Sequence, residues 1–150
     1  MLLAQEGDVL LKVLQPATIG KLEIRNRFIR SATKDSSADL NGAVTDDSVR
    51  IFEELAAGGV GLIVTGHAFV SPNGRAAESQ YGIHCDEMVT GLARLSHVAH
   101  KHGARIAAQI THSGLSSAYL AGRGQAALAP SQVPRGGLLT GPWPKRRSTA

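Results

Sequence analysis

The chain has 150 residues, one domain's length, with 43% hydrophobic, 19% charged and 4% aromatic residues, a globular composition that excludes a disordered or disulfide-dense chain. Its single cysteine, Cys85, excludes an internal disulfide and argues against a thiolate metal cluster. The formal charge of +4 is uneven: residues 1–87 hold all 12 acidic residues and 8 of the 16 Lys+Arg, and residues 88–150 hold the other 8 and no acid, which suits a nucleic-acid surface, an anion site or, the reading favoured here, an incomplete domain.

Glu6 and Asp8 interrupt the apolar stretch that a signal peptide needs. The longest apolar run, Val60 to Val64, is too short to span a bilayer. A reducing cytoplasm and no membrane association are therefore expected.

After a lead-in ending at Pro16, Ala17-Thr18-Ile19, Gly20-Lys21 and Leu22-Glu23-Ile24 predict a small hairpin with a glycine turn. Arg27 to Ser31 predicts a strand, followed by a polar loop from Lys34 to Gly42. Thr45-Asp46-Asp47 starts a helix, with a capping hydroxyl and then acids at the positive end of the dipole. Val49, Phe52, Leu55 and Ala56 recur at helical spacing, and Gly58-Gly59 ends the helix. Val60 to Thr65 predicts a strand covered on both faces. A second helix is expected from Asp86, with Met88, Leu92, Leu95 and Ala99 on one face and Gly103 after its end. Ala104 to Ile110 predicts the third strand. From Thr111 the chain reads as loop, and residues 135–150 as loop or tail.

Strand, helix, strand, helix, strand means two consecutive βα units feeding a parallel α/β sheet, either doubly wound or a barrel. The hairpin before the first strand suggests a barrel whose N-terminal end it plugs.

The glycines of Gly58-Gly59-Val60-Gly61 end a helix, whereas a phosphate loop opens one. Gly122-Arg123-Gly124 has no strand running into it. His97, His100 and His102 have no carboxylate or cysteine near in sequence and read as a helix end, not a metal site. Cys85 precedes a helix N-terminus, which would lower its pKa, but no His–Asn pair can be assigned to it. Lys145-Arg146-Arg147 reads as a solvated tail, without the interleaved aromatics of a nucleic-acid platform.

Polar residues gather where the strands end, the side on which barrels build active sites. Ser31-Ala32-Thr33 closes the first strand, Gly66-His67 the second and Gln109 the third, with His112 and Ser113 beyond. An amide inside the apolar run Ile106 to Ile110 is costly unless paired. It offers two donors and one acceptor, which suits either an imide-like ring edge or neighbouring backbone.

At these residues the sequence resembles the Old Yellow Enzyme family of FMN-dependent ene-reductases. The similar segments are Pro16 to Gly20 with Leu22 to Arg27, Arg30 to Thr33, Gly59 to Gly66, Val70 to Arg75, Gly82-Ile83 with Asp86-Glu87, Gln109 to Gly114, and Leu128 to Ser131. The resemblance implies an incomplete (β/α)8 TIM barrel, about its first three strands with an N-terminal hairpin, in one FMN-binding domain. It implies an NAD(P)H:flavin oxidoreductase whose FMN passes hydride to an activated alkene or enone.

Carried over by position, Ser31, Ala32 and Thr33 match the segment lining the isoalloxazine. His67 stands where a small residue usually lies near the ring, and Gln109 matches the glutamine on the pyrimidine edge. Many relatives have Pro in place of Ala32. Lys34 replaces a Cys or Thr that tunes the flavin, and Ser36 a substrate-facing Tyr. The resemblance assigns no catalytic or metal residue here; the His/Asn substrate clamp, the phosphate loops and a Tyr proton donor belong to later strands. The chain alone is therefore expected to be inactive and to self-associate. The alternatives are a barrel for a non-flavin phosphate substrate, or a non-catalytic basic module.

Overall fold

The computed structural model describes residues 11–131, 134–135, 138–139 and 141–142. Strands β1 (Ala17–Ile19) and β2 (Leu22–Ile24) form an antiparallel hairpin with Ala17 opposite Ile24. Strands β3 (Ile29–Arg30), β4 (Leu62–Val64) and β6 (Arg105–Ala107) form a parallel sheet in the order β3-β4-β6. Ile29 pairs with Leu62, and Leu62 with Arg105. Helix α1 (Asp46–Ala57) links β3 to β4, and helix α2 (Val89–Lys101) links β4 to β6.

Helix α1 begins where the cap chemistry dictates. Thr45 Oγ1 accepts from the Ser48 N–H and Ser48 Oγ accepts from the Thr45 N–H, both at 3.2 Å, a reciprocal capping box. It ends at Gly58, and Gly59 follows at φ +97°, left-handed backbone that suits glycine. Helix α2 starts later than its sequence suggests. Asp86–Met88 form a 3-10 turn before Val89, because no side chain caps the Cys85 position.

Phe52 and Ala56 of α1 meet Leu95, Val98 and Ala99 of α2 over Ile63 and Ala104, and this forms the core. The hairpin lies against the N-terminal ends of the strands. Arg105 Nε, on the first residue of β6, donates to the Glu23 carbonyl at 3.0 Å. Arg25 donates to the Ala56 carbonyl at 2.8 Å and the His102 carbonyl at 2.7 Å, so one cation serves the C-terminal ends of both helices.

All three sheet strands differ from their predicted extents, the first being confined to Ile29–Arg30. The second breaks at residues 65–67 and resumes as β5 (Ala68–Phe69); the third breaks at residues 108–109 and resumes as β7 (Ile110–Thr111). β5 and β7 pair in parallel, Ala68 with Ile110. The ladder is interrupted because the Gln109 N–H donates to Thr65 Oγ1 at 3.2 Å. Nor is the third strand covered on both faces. Ile106 reaches the core, while Ala107, Ala108 and Ile110 are exposed.

Beyond β7 come a short helix α3 (Ala118–Ala121) and strands β8 (Leu128–Ala129), β9 (Pro134–Arg135), β10 (Leu138–Leu139) and β11 (Gly141–Pro142). β9 pairs with β10, and β11 runs parallel to β8. Leu128-Ala129 and part of 135–150 are thus strand where loop or tail was expected, since their backbone groups find each other as partners. Lys145-Arg146-Arg147 lies outside the described residues. Among the described residues no helix is long and apolar enough to cross a membrane.

Candidate functional site

The parallel order brings the C-terminal ends of β3, β4 and β6 side by side, with Thr33, Gly66 and Gln109 one after another. Gly66 permits this closeness: a Cβ there would lie 2.9 Å from the Thr33 carbonyl oxygen. Thr65, which the sequence reading passed over, ties the second and third ends together. Its buried hydroxyl donates to the Gly66 carbonyl at 2.8 Å and accepts from the Gln109 N–H. The Gln109 carbonyl accepts from the Ala68 N–H at 2.7 Å. A threonine at a strand end beside Gly66 was the available signal.

Ser31, Ala32 and Thr33 are all exposed. Thr33 Oγ1 donates to the Ser31 carbonyl at 3.1 Å and accepts from Arg30. The side chain of Gln109 is also exposed. This corrects the expectation of an amide buried in an apolar strand: the helix-facing side of β6 is covered, and the side carrying Gln109 is open. Its two donors and one acceptor are available to a ligand.

His67 departs from the row. Its ring Nδ1 is 2.6 Å from Gln80 Nε2, and Gln80 Nε2 also donates to the His67 carbonyl at 3.1 Å. Buried Gln80 is fixed in turn by the Ala76 N–H at 2.6 Å. The imidazole is therefore held against Gln80, and the cavity of about 10 Å³ between His67, Gln80, Tyr81 and residues 34–36 is about one water in size. Lys34 is exposed, and Ser36 has left-handed backbone at φ +58°.

Behind these ends lies a polar network that the sequence did not disclose. Buried Tyr81 donates to Asp35 Oδ2 at 3.0 Å and sits 2.6 Å from Ser37 Oγ. Ser37 Oγ donates to Ser48 Oγ at 3.0 Å. Burial is the main cause that raises the Tyr81 pKa, with Asp35 adding to it. The network anchors the 31–37 segment to helix α1.

The remaining reactive candidates lie elsewhere. The Cys85 pKa is raised, first by its hydrogen bond with Glu87, so the expected lowering by a helix N-terminus is reversed by a neighbouring carboxylate. His102 Nε2 lies 3.3 Å from Glu53 Oε1, which also accepts from Lys101 at 2.8 Å, so α1 supplies the carboxylate that the local sequence lacks. Gly122 ends α3 and opens no helix.

The fold of two consecutive βα units is shared with solved oxidoreductase structures. The chain belongs to the NADH:flavin oxidoreductase / NADH oxidase family, whose model matches residues 12–136. It is 36% identical over 138 residues to 4,4'-dithiodibutanoate disulfide reductase of Rhodococcus erythropolis, covering 86% of this chain and 32% of that protein. It is 32% identical over 104 residues to NADPH dehydrogenase of Bacillus subtilis, covering 69% and 31%. The solved structure of morphinone reductase in complex with tetrahydroNAD superposes with a TM-score of 0.72 at 26% identity, covering 84% of this chain and 34% of that one. The chain thus spans about a third of the length of these relatives.

Proposed function

We propose that these residues form the first three strands of an FMN-binding (β/α)8 barrel in an NAD(P)H:flavin oxidoreductase acting on activated alkenes or enones. The observation that carries this reading is the row of Thr33, Gly66 and Gln109 on three adjacent parallel strand ends, exposed at Thr33 and Gln109. The lining fits the polar edge of an isoalloxazine: the exposed Gln109 amide, the Ser31 hydroxyl and the small side chain of Ala32.

FMN supplies, when bound, hydride exchange between NAD(P)H and an electron-poor alkene. Gln109 holds the pyrimidine edge through its amide, and Thr65 fixes the backbone from which that amide projects. Ser31, Ala32 and Thr33 line one side of the ring. Gly66 lets the first two strand ends close up, and His67 contributes backbone alone because Gln80 holds its ring. No side chain here is assigned to proton transfer. Substrate binding, phosphate anchoring and turnover are assigned to further barrel strands. A cytoplasmic setting accords with an NAD(P)H donor.

The sheet edges support continuation of the barrel. Among the described residues β3 and β6 each have one strand neighbour. Phe28 and Ile29 are 49% and 48% exposed beside an apolar groove of about 820 Å³ that also takes in Leu14, Ile51, Leu55 and Val60. Such an edge is completed by another strand.

A flavin-fluorescence titration tests the cofactor reading. Weak, saturable binding that Gln109→Leu diminishes is expected, since charge-assisted bonds to the phosphate are the strong anchor. A sub-micromolar dissociation constant indifferent to Gln109→Leu would refute it.

A further inference from the structure

A second cavity, of about 390 Å³, opens between the loop after β5 and helix α3, within the roughly 300–1,000 Å³ of small-molecule sites. None of the residues lining it belongs to the strand-end row. Its walls include Leu40, Phe69, His84, Tyr119 and Leu120, and Arg75 is its charged member.

Arg75 is buried, with 5% of its surface exposed. Its Nη1 donates to the Leu40 carbonyl at 2.8 Å and its Nε to the Ala77 carbonyl at 2.9 Å. The guanidinium carbon lies 5.2 Å from the Phe69 ring centre and 4.5 Å from that of Tyr119. These contacts set the group against two aromatic rings. Its Nη2 is buried with no hydrogen-bond partner among the described residues, and so is Nδ1 of His84, which stacks on Phe69 at 4.7 Å.

A buried cation calls for a counter-charge, and no described carboxylate provides one. Glu78 pairs with Arg123 at 2.9 Å. Asp39, beside Leu40, accepts from the Asn41 and Ala43 N–H groups at 2.8 and 2.7 Å. We propose that Arg75 and this cavity form a binding site for a small monocarboxylate with a flat apolar body. The carboxylate accepts from Nη2, and the body lies among Phe69, His84, Tyr119 and the two leucines. With Nε and Nη1 held by the Ala77 and Leu40 carbonyls, Nη2 offers a charge-assisted hydrogen bond in a fixed direction, the kind that binds a carboxylate.

The probe is benzoate, with benzamide as its uncharged isostere and inorganic phosphate as a compact anion. Ring resonances of His84 and Tyr119 are followed by NMR in the purified chain at low salt. Saturable shifts at both rings with benzoate are expected, with benzamide and phosphate each binding at least about tenfold more weakly. Arg75→Lys weakens benzoate by about tenfold, because one ammonium cannot hold the Leu40 and Ala77 carbonyls and the carboxylate together as the guanidinium does. The comparison of benzoate with benzamide needs no variant, so it stands even if Arg75→Lys fails to fold. An absent benzoate response, an equal response to benzamide, tighter binding of phosphate, or benzoate affinity unchanged in Arg75→Lys would each overturn the proposal. Its failure leaves the flavin reading intact, since that reading is measured at Gln109.

Discussion

Gly66 and Thr33 approach so closely that a Cβ on Gly66 would sit 2.9 Å from the Thr33 carbonyl oxygen. The contacted atom is backbone, so it cannot swing aside as a side-chain end would. The first and second strand ends are coupled through this one absent methyl group. Gly66→Ala must push the 31–33 segment outward, at roughly 1–3 kcal/mol. Thermal melting should drop by several degrees, and flavin affinity should fall with it. An unchanged melting temperature would show that the two ends are not in contact.

Arg25 joins elements distant in sequence by binding the Ala56, Val60 and His102 carbonyls. Arg25→Met keeps the stem and removes the donors. A loss of roughly 1–3 kcal/mol is expected, from charged hydrogen bonds to helix ends. Urea unfolding should show a lower midpoint with an unchanged slope.

Tyr81→Phe deletes the hydroxyl between Asp35 and Ser37 and should cost about 1–3 kcal/mol by leaving buried partners short of a bond. The Tyr81 pKa is raised in the folded state, mainly by burial. Its contribution is therefore present below the ordinary tyrosine value of about 10 and is lost as pH rises through the higher folded value. Alkaline melting curves should show a steeper loss of stability for the parent chain than for Tyr81→Phe.

Glu53 behaves oppositely. Its pKa is lowered by Lys101 first and then His102. The stabilisation it gives is present above the ordinary glutamate value of about 4.3 and is lost as pH falls through the lower folded value. Glu53→Gln should flatten this acid limb slightly, since the pair is exposed and screened by salt.

The open edges of β3 and β6 should lead the chain to self-associate. The basic residues of 88–150 oppose association by repulsion, but salt screens them beyond about 10 Å at 0.1 M. Size-exclusion chromatography should show larger species at high ionic strength. A monodisperse monomer under both conditions would contradict this.

The sequence made the helix starts and stops legible where a local group imposes them, as Thr45 and Gly59 do. It made the parallel order legible through the alternation of elements, and the strand-end row through the polar residues that close apolar runs. It could not show that Thr65 Oγ1 takes the Gln109 N–H and so breaks both strands, because that bond joins residues 44 positions apart. The Tyr81 network was hidden for the same reason, with Asp35 lying 46 positions away. Gln109 was misjudged as buried because an apolar run reads alike whether one face is covered or two.

The most direct test of the flavin-bed account is amide-resolved NMR of the chain titrated with FMN. The account predicts saturable shifts at Ser31 to Thr33, Gly66 and Gln109, which Gln109→Leu weakens without lowering the melting temperature, since the exposed amide adds less than about 0.5 kcal/mol to stability. Shifts confined to other parts of the chain, or none at millimolar FMN, would contradict it.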